Sequence, residues 1–163
     1  MDDHEHRPPR MTRWTTVLEP LRVHVERGRP AVFPQHDPAT PVLLDALEHS
    51  VTLTSIGQFV AQVAHEPHDV LEHVRAINEP TVLTDFDVLF HPMLATDVPA
   101  LLKQHSRRAP LVAAWPGTVR ANRLTYSAAG RADYVDAPAT GFVILHPRAT
   151  TFPDEVPYRM EIA

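Results

Sequence analysis

Two acids at the mouth of an apolar run are the residues best placed to do chemistry. Asp85 follows the run Thr81–Leu83, and Asp87 opens a second apolar patch, Val88–Phe90. α/β folds place their chemistry where a buried strand emerges into solvent. Downstream, Arg107 and Arg108 precede the apolar run Leu111–Trp115; upstream, Thr40 follows a loop that leaves the run Pro30–Phe33. An acid for Mg²⁺, an arginine for phosphate and a residue at a helix start are parts that a nucleotide site uses. A second group is rich in histidine: His65, His68 and His73 with Glu66, Asp69 and Glu72. Its spacing matches neither HExxH nor HxxEH. Asp69 and His73, and likewise His68 and Glu72, lie one helical turn apart, a pattern that stabilises solvated helix faces. No metal is expected there, nor at His4 and His6 in the polar N-terminus. With no cysteine in the chain, thiol catalysis, disulfides and zinc–thiolate sites are excluded.

The elements that must hold these residues follow from periodicity. Trp14, Val17, Leu18, Leu21 and Val25 recur at helical spacing, with Thr12 as N-cap, Gly28 as stop and Pro20 as an internal break. Pro30–Phe33 reads as a short buried strand. Thr40 suits an N-cap and Pro41 the first helical position, ahead of Val42, Leu43, Leu44 and Leu47. Val51–Leu53 is a second strand, and Thr54 caps a helix carrying Ile56, Phe59, Val60, Val63 and Ala64. Pro67 opens a further helix with Val70, Leu71, Val74 and Ile77 inward. Thr81–Leu83 and Leu111–Trp115 flank a helix from Val98 to His105 with Asp97 as N-cap, which makes a βαβ unit and implies parallel pairing. Arg123–Ser127 and Gly141–His146 add strands, with a turn at Ala128–Gly130.

Together these predict one three-layer α/β domain over residues 12–150, with a mainly parallel central sheet of about five strands flanked by helices. Residues 1–11 are expected to form a disordered tail, and residues 151–163 a Pro-rich tail that covers an edge or docks a partner. The length of 163 residues suits one core of ordinary size. A net charge of −5 argues against sequence-independent nucleic-acid binding. No run is long enough for a membrane span and the N-terminus lacks an apolar signal core, so a cytoplasmic protein is expected.

Strand, loop, helix, then a strand ending in Asp, then a strand preceded by Arg is the order of a P-loop-NTPase-like domain. Its phosphate loop, GxxxxGK[ST], needs glycines for close backbone approach, Lys for charge and Ser or Thr for Mg²⁺. Here Pro34 takes the first Gly position, Ala39 the second, Thr40 that of Lys and Pro41 that of Ser/Thr. Proline removes an N–H where donors are needed, and alanine restricts a turn that wants free φ. The chain's one lysine, Lys103, lies far away in sequence. The degenerate nucleotide site therefore reduces to Thr40, Asp85, Asp87, Arg107 and Arg108.

The blocks VLTDFDVLFHPML, LLKQHSRRAPLVAAWPG and RLTYSAAGRADY resemble BrxF, the small P-loop protein of BREX (bacteriophage exclusion) defence systems. The matching residues include Asp85, Leu89, Phe90, Pro92, Leu94, Ser106, Arg107, Trp115, Pro116, Gly117, Tyr126, Gly130 and Tyr134, and the likeness covers Pro80–Tyr134. That family carries an intact phosphate loop; this chain departs from it. The resemblance implies an accessory component of a bacterial anti-phage system that works through contacts with other defence proteins, alone or as a homo-oligomer. The departure in the phosphate loop leaves no catalytic residue and no resident cofactor expected. The alternatives are an ATP-binding or ATP-hydrolysing protein using ATP and Mg²⁺ with a non-standard loop, and a His-rich metal-dependent hydrolase.

Overall fold

The computed structural model describes residues 19–48, 52–55, 66–151 and 155–163. The expected cap at Thr12, the helical residues Trp14 to Leu18, Val51 and the helix from Ile56 to Ala64 lie outside them. Helix α1 (Glu19–Glu26) buries Leu21 and Val25, and Pro20 is its second described residue. Gly28 ends it at φ +83°, where its N–H donates to Val25 and that of Arg29 to His24. Strand β1 (Ala31–Pro34), helix α2 (Thr40–Glu48), strand β2 (Thr52–Ser55) and helix α3 (Pro67–Ala76) follow. Strand β3 (Thr81–Thr84) leads through two short 3₁₀ turns, Asp87–Phe90 and Pro92–Leu94, into α4 (Val98–Ser106) and β4 (Leu111–Trp115). Asp97 caps α4, its carboxylate accepting from the Ala100 N–H at 3.0 Å.

The sheet runs β2-β3-β4-β1-β8-β9, where β8 is Val143–Pro147 and β9 is Tyr158–Ile162. The first five strands are mutually parallel; β9 is an antiparallel edge on β8. Strand alternation sends successive side chains to opposite faces. Val32, Leu83, Leu111, Ala113, Trp115 and Ile144 pack with α3 and α4 on one side. Ala31, Phe33, Val82, Val112, Ala114, Val143 and Leu145 pack with α1 and α2 on the other. A near-continuous apolar run such as Leu111–Trp115, buried at every position, is what a strand covered on both faces requires. The three-layer, mainly parallel α/β architecture is thus the observed one.

Between β4 and β8 the chain inserts a small antiparallel sheet, β5 (Thr118–Arg120), β6 (Arg123–Tyr126) and β7 (Val135–Pro138), in that spatial order. The β5–β6 hairpin turns on Ala121 and Asn122, at φ +51° and +58°.

The mainly parallel sheet of about five strands is present as five parallel strands, and one expectation is corrected: the supposed C-terminal tail supplies a sixth, antiparallel strand. In β9 Tyr158 is buried and the strand pairs with β8 from Val143–Ile162 to Pro147–Tyr158. The alternation Tyr-Arg-Met-Glu-Ile suits an edge strand with one covered face. The domain therefore extends to Ile162.

Candidate functional site at the carboxyl edge of the sheet

The carboxyl ends of β1, β4 and β3 lie side by side, and the chain leaves β1 and β4 toward opposite faces of the sheet, which makes this the place where such a sheet binds ligands. What fills it is the protein itself. Gln35, the first residue after β1, donates its backbone N–H to the Trp115 carbonyl at 2.9 Å. Its side chain reaches past the end of β4 to β3. There the amide nitrogen donates to Asp85 Oδ1 at 2.8 Å, and the amide oxygen accepts from the Asp85 N–H at 3.3 Å. Asp85 holds a left-handed backbone, φ +53°, a conformation that Asp tolerates better than most residues. Gln35 thus ties the loop after β1 to the acid after β3.

The loop is closed in the same manner. The Thr40 side chain is buried and its hydroxyl donates to the Pro34 carbonyl at 2.6 Å. The Ala39 N–H donates to the Asp37 carboxylate at 2.8 Å and the Thr40 N–H to the Asp37 carbonyl at 3.0 Å. This is an Asx turn leading into a helix. Two backbone donors that a phosphate cradle would aim at its ligand are satisfied by Asp37, and the loop gains a negative charge where a phosphate would need a positive one.

Asp87 faces a different neighbourhood. It accepts from the Tyr126 hydroxyl at 3.2 Å. Burial pushes the Tyr126 phenol up to about 12, with the Asp87 carboxylate adding to the effect. A phenol held there stays protonated at neutral pH and serves as a donor, not as a general base. Tyr126 stacks on Phe90 with ring centroids 3.9 Å apart, and Phe90 meets Trp115 edge-on at 5.3 Å. Phe86 completes the cluster against Trp115. The Trp115 indole N–H donates to the Thr125 carbonyl at 2.9 Å. At Gly117 a Cβ would come within 1.8 Å of the Thr125 carbonyl oxygen. Trp115-Pro116-Gly117 therefore fixes the insertion against the main sheet.

Arg107 and Arg108 do not join Asp85. They follow α4 and precede β4, at the amino edge of the sheet, and a five-residue strand separates the two edges by about 16 Å. Ser106 anchors this end: its hydroxyl lies 2.8 Å from the Gly28 carbonyl and 2.7 Å from that of Lys103. His105 is buried beside it, with both ring nitrogens lacking hydrogen-bond partners among the described residues. Burial lowers its pKa, the nearby Arg108 charge lowers it further, and the Ile77 backbone opposes both without reaching bonding geometry.

Of the histidine-rich group, His68 and His73 sit on α3 and His65 lies outside the described residues. Among the described residues no group of three or more His, Asp or Glu side chains could hold a metal ion, and no helix is long and apolar enough to cross a membrane.

The sequence brought Thr40, Asp85 and Asp87 to one edge; the structure separates Arg107 and Arg108 from them and adds Gln35, Asp37 and Tyr126. Asp37 was detectable, since Asp two residues before a backbone donor ahead of a helix is an Asx-turn pattern. Gln35 carried no such signal. Its role depends on β4 lying between β1 and β3. Compared with known proteins, the chain matches no family model, no curated protein and no solved structure.

Proposed function

We propose that this protein is a cytoplasmic accessory component of a BREX-like bacterial anti-phage system, a degenerate relative of BrxF that acts through protein contacts. One observation carries this reading: in the loop after β1 the Ala39 and Thr40 N–H groups are bonded to Asp37 and the Thr40 hydroxyl to Pro34. An internally satisfied loop offers little to a triphosphate, and Asp37, Asp85 and Asp87 repel one. The family-like block supports the defence context, and the six-stranded sheet, with the loop strand β1 central, supports a P-loop ancestry.

Equilibrium titration with fluorescent ATP and Mg²⁺ tests the nucleotide half of the reading. The expected result is no saturable binding at millimolar nucleotide. Co-purification of the tagged protein with the neighbouring defence proteins tests the other half, together with phage plating on a strain lacking the gene. Reproducible isolation without partners and unchanged phage resistance would defeat it.

The second reading is an ATP-binding protein with a non-standard loop. The Gln35–Asp85 tie favours it, because it holds the acid beside the loop. Saturable ATP binding that is lost in Asp85→Asn would establish it over the first.

A further inference from the structure

The insertion and the 3₁₀ turns leave a cleft of 280 Å³ between them. Phe90, Pro92 and Asp97 line it from one side, and Ala132, Asp133 and Tyr134 from the other. A shallower depression of 370 Å³ shares Pro92, Ala132 and Asp133 and adds Arg131. Met93, next to this lining, is 69% exposed, and Tyr134 is 40% exposed. Large apolar side chains beside a cavity with carboxylates in its walls make an amphipathic surface, the kind that protein contacts use.

The two carboxylates have internal duties that leave acceptor capacity. Asp97 accepts one bond, from the Ala100 N–H. Asp133 accepts from the Ser127 hydroxyl at 2.6 Å and stands 3.6 Å from the Arg131 guanidinium. Each carboxylate offers about four acceptor positions. The Ser127 hydroxyl, aided by Arg131, holds the Asp133 carboxyl below its ordinary value, so it remains charged. An aromatic ring, apolar walls and two carboxylates match a planar cation that stacks and donates in a fork.

We propose that this cleft docks an arginine side chain of a partner protein. The proposal rests on the reading that the protein works through protein contacts, and it names the chemistry of the partner. Arg131 is the internal competitor for Asp133: it is exposed and stands 3.6 Å away, longer than a direct hydrogen bond.

The test is an NMR titration of the full-length protein with acetyl-Leu-Arg-Leu-amide and its uncharged citrulline counterpart. The arginine peptide shifts backbone resonances of residues 92–97 and 131–135. The citrulline peptide binds about tenfold more weakly, as loss of charge-assisted hydrogen bonds requires. Asp97→Asn keeps a good helix cap, and Asp133→Asn keeps an acceptor for Ser127. Each weakens the arginine peptide severalfold while the urea midpoint stays near that of the unmodified protein. Equal binding of the two peptides, shifts elsewhere on the molecule, or no saturation by tens of millimolar peptide overturns the cleft assignment. Failure of the protein-contact reading shows separately, as absence of partners in co-purification while the peptide still binds.

Discussion

The carboxyl ends of β1 and β4 are neighbours in the sheet and are finished in opposite ways. The β1 end is polar: Asp37 and Thr40 close a loop through part-buried hydrogen bonds, and Gln35 ties it to Asp85 through exposed ones. The β4 end is aromatic: Trp115 is fully buried under Phe86 and Phe90, and Gly117 touches the backbone of β6. At the β1 end polar groups bond to one another at the carboxyl edge, and at the β4 end rings and backbone pack into the core. Packing that closes the core is costlier to disturb than a hydrogen-bonded loop at its rim.

The contrast breaks most readily at Trp115. Trp115→Ala is expected to lower stability by about 3–5 kcal/mol, as large aromatic truncations in packed cores do. Gly117→Ala is expected to lower it by about 3 kcal/mol or more, because the new Cβ meets backbone that can move only by displacing the insertion. Urea unfolding midpoints measure both. At the β1 end, Thr40→Val removes a buried donor and leaves the Pro34 carbonyl short of a partner, at about 1–2 kcal/mol. Gln35→Ala is expected to fall below about 1 kcal/mol, since its bonds to Asp85 are exposed. A Gln35→Ala loss as large as that of Trp115→Ala would erase the distinction between the two ends.

The amino edge sharpens the comparison, since its buried His105 bonds to nothing among the described residues. The folded pKa lies below the unfolded value of about 6.5. The unfolded chain therefore takes up the proton first. The contribution of neutral His105 is present in full above that value and is lost as pH falls through it toward the folded pKa. The slope from this one group is at most about 1.4 kcal/mol per pH unit. His105→Phe is expected to flatten the stability profile between neutral pH and pH 5 relative to the unmodified protein. Parallel profiles would show that His105 is not the group responsible.

The sheet was legible because buried parallel strands leave unbroken apolar runs: Leu111–Trp115 was read to the residue, and Asp97 announced α4. Strand β5 was missed because its hairpin turns on Ala121-Asn122 rather than on Asn-Gly, so the usual signal is absent. Strand β9 was hidden by the prolines before it, although Tyr-Arg-Met-Glu-Ile alternates as an edge strand should. Thr40 and Asp85 were found from their places relative to strand ends. Gln35 could not be, because its partner lies fifty residues away across an intervening strand. Arg107 and Arg108 were grouped with Asp85 by sequence order, which does not say which edge of a sheet a residue occupies.

The smallest effect is the one that bears most directly on whether the aromatic end has any chemistry of its own. Tyr126 has its pKa pushed up to about 12 chiefly by burial, with Asp87 second. Asp87→Asn removes a negative charge that disfavours phenolate while keeping an acceptor for the hydroxyl. The pKa should fall, and because burial remains it should stay above the ordinary value of about 10. Ultraviolet titration of the phenolate band, read as the difference between the two proteins, isolates Tyr126 from Tyr134 and Tyr158. A fall to the ordinary value would make Asp87, not packing, the governing influence, and the β4 end would then hold a polar site built into its aromatic cluster. A small fall keeps Asp87 as a satellite of that packing, and the acids at this edge as parts of a scaffold.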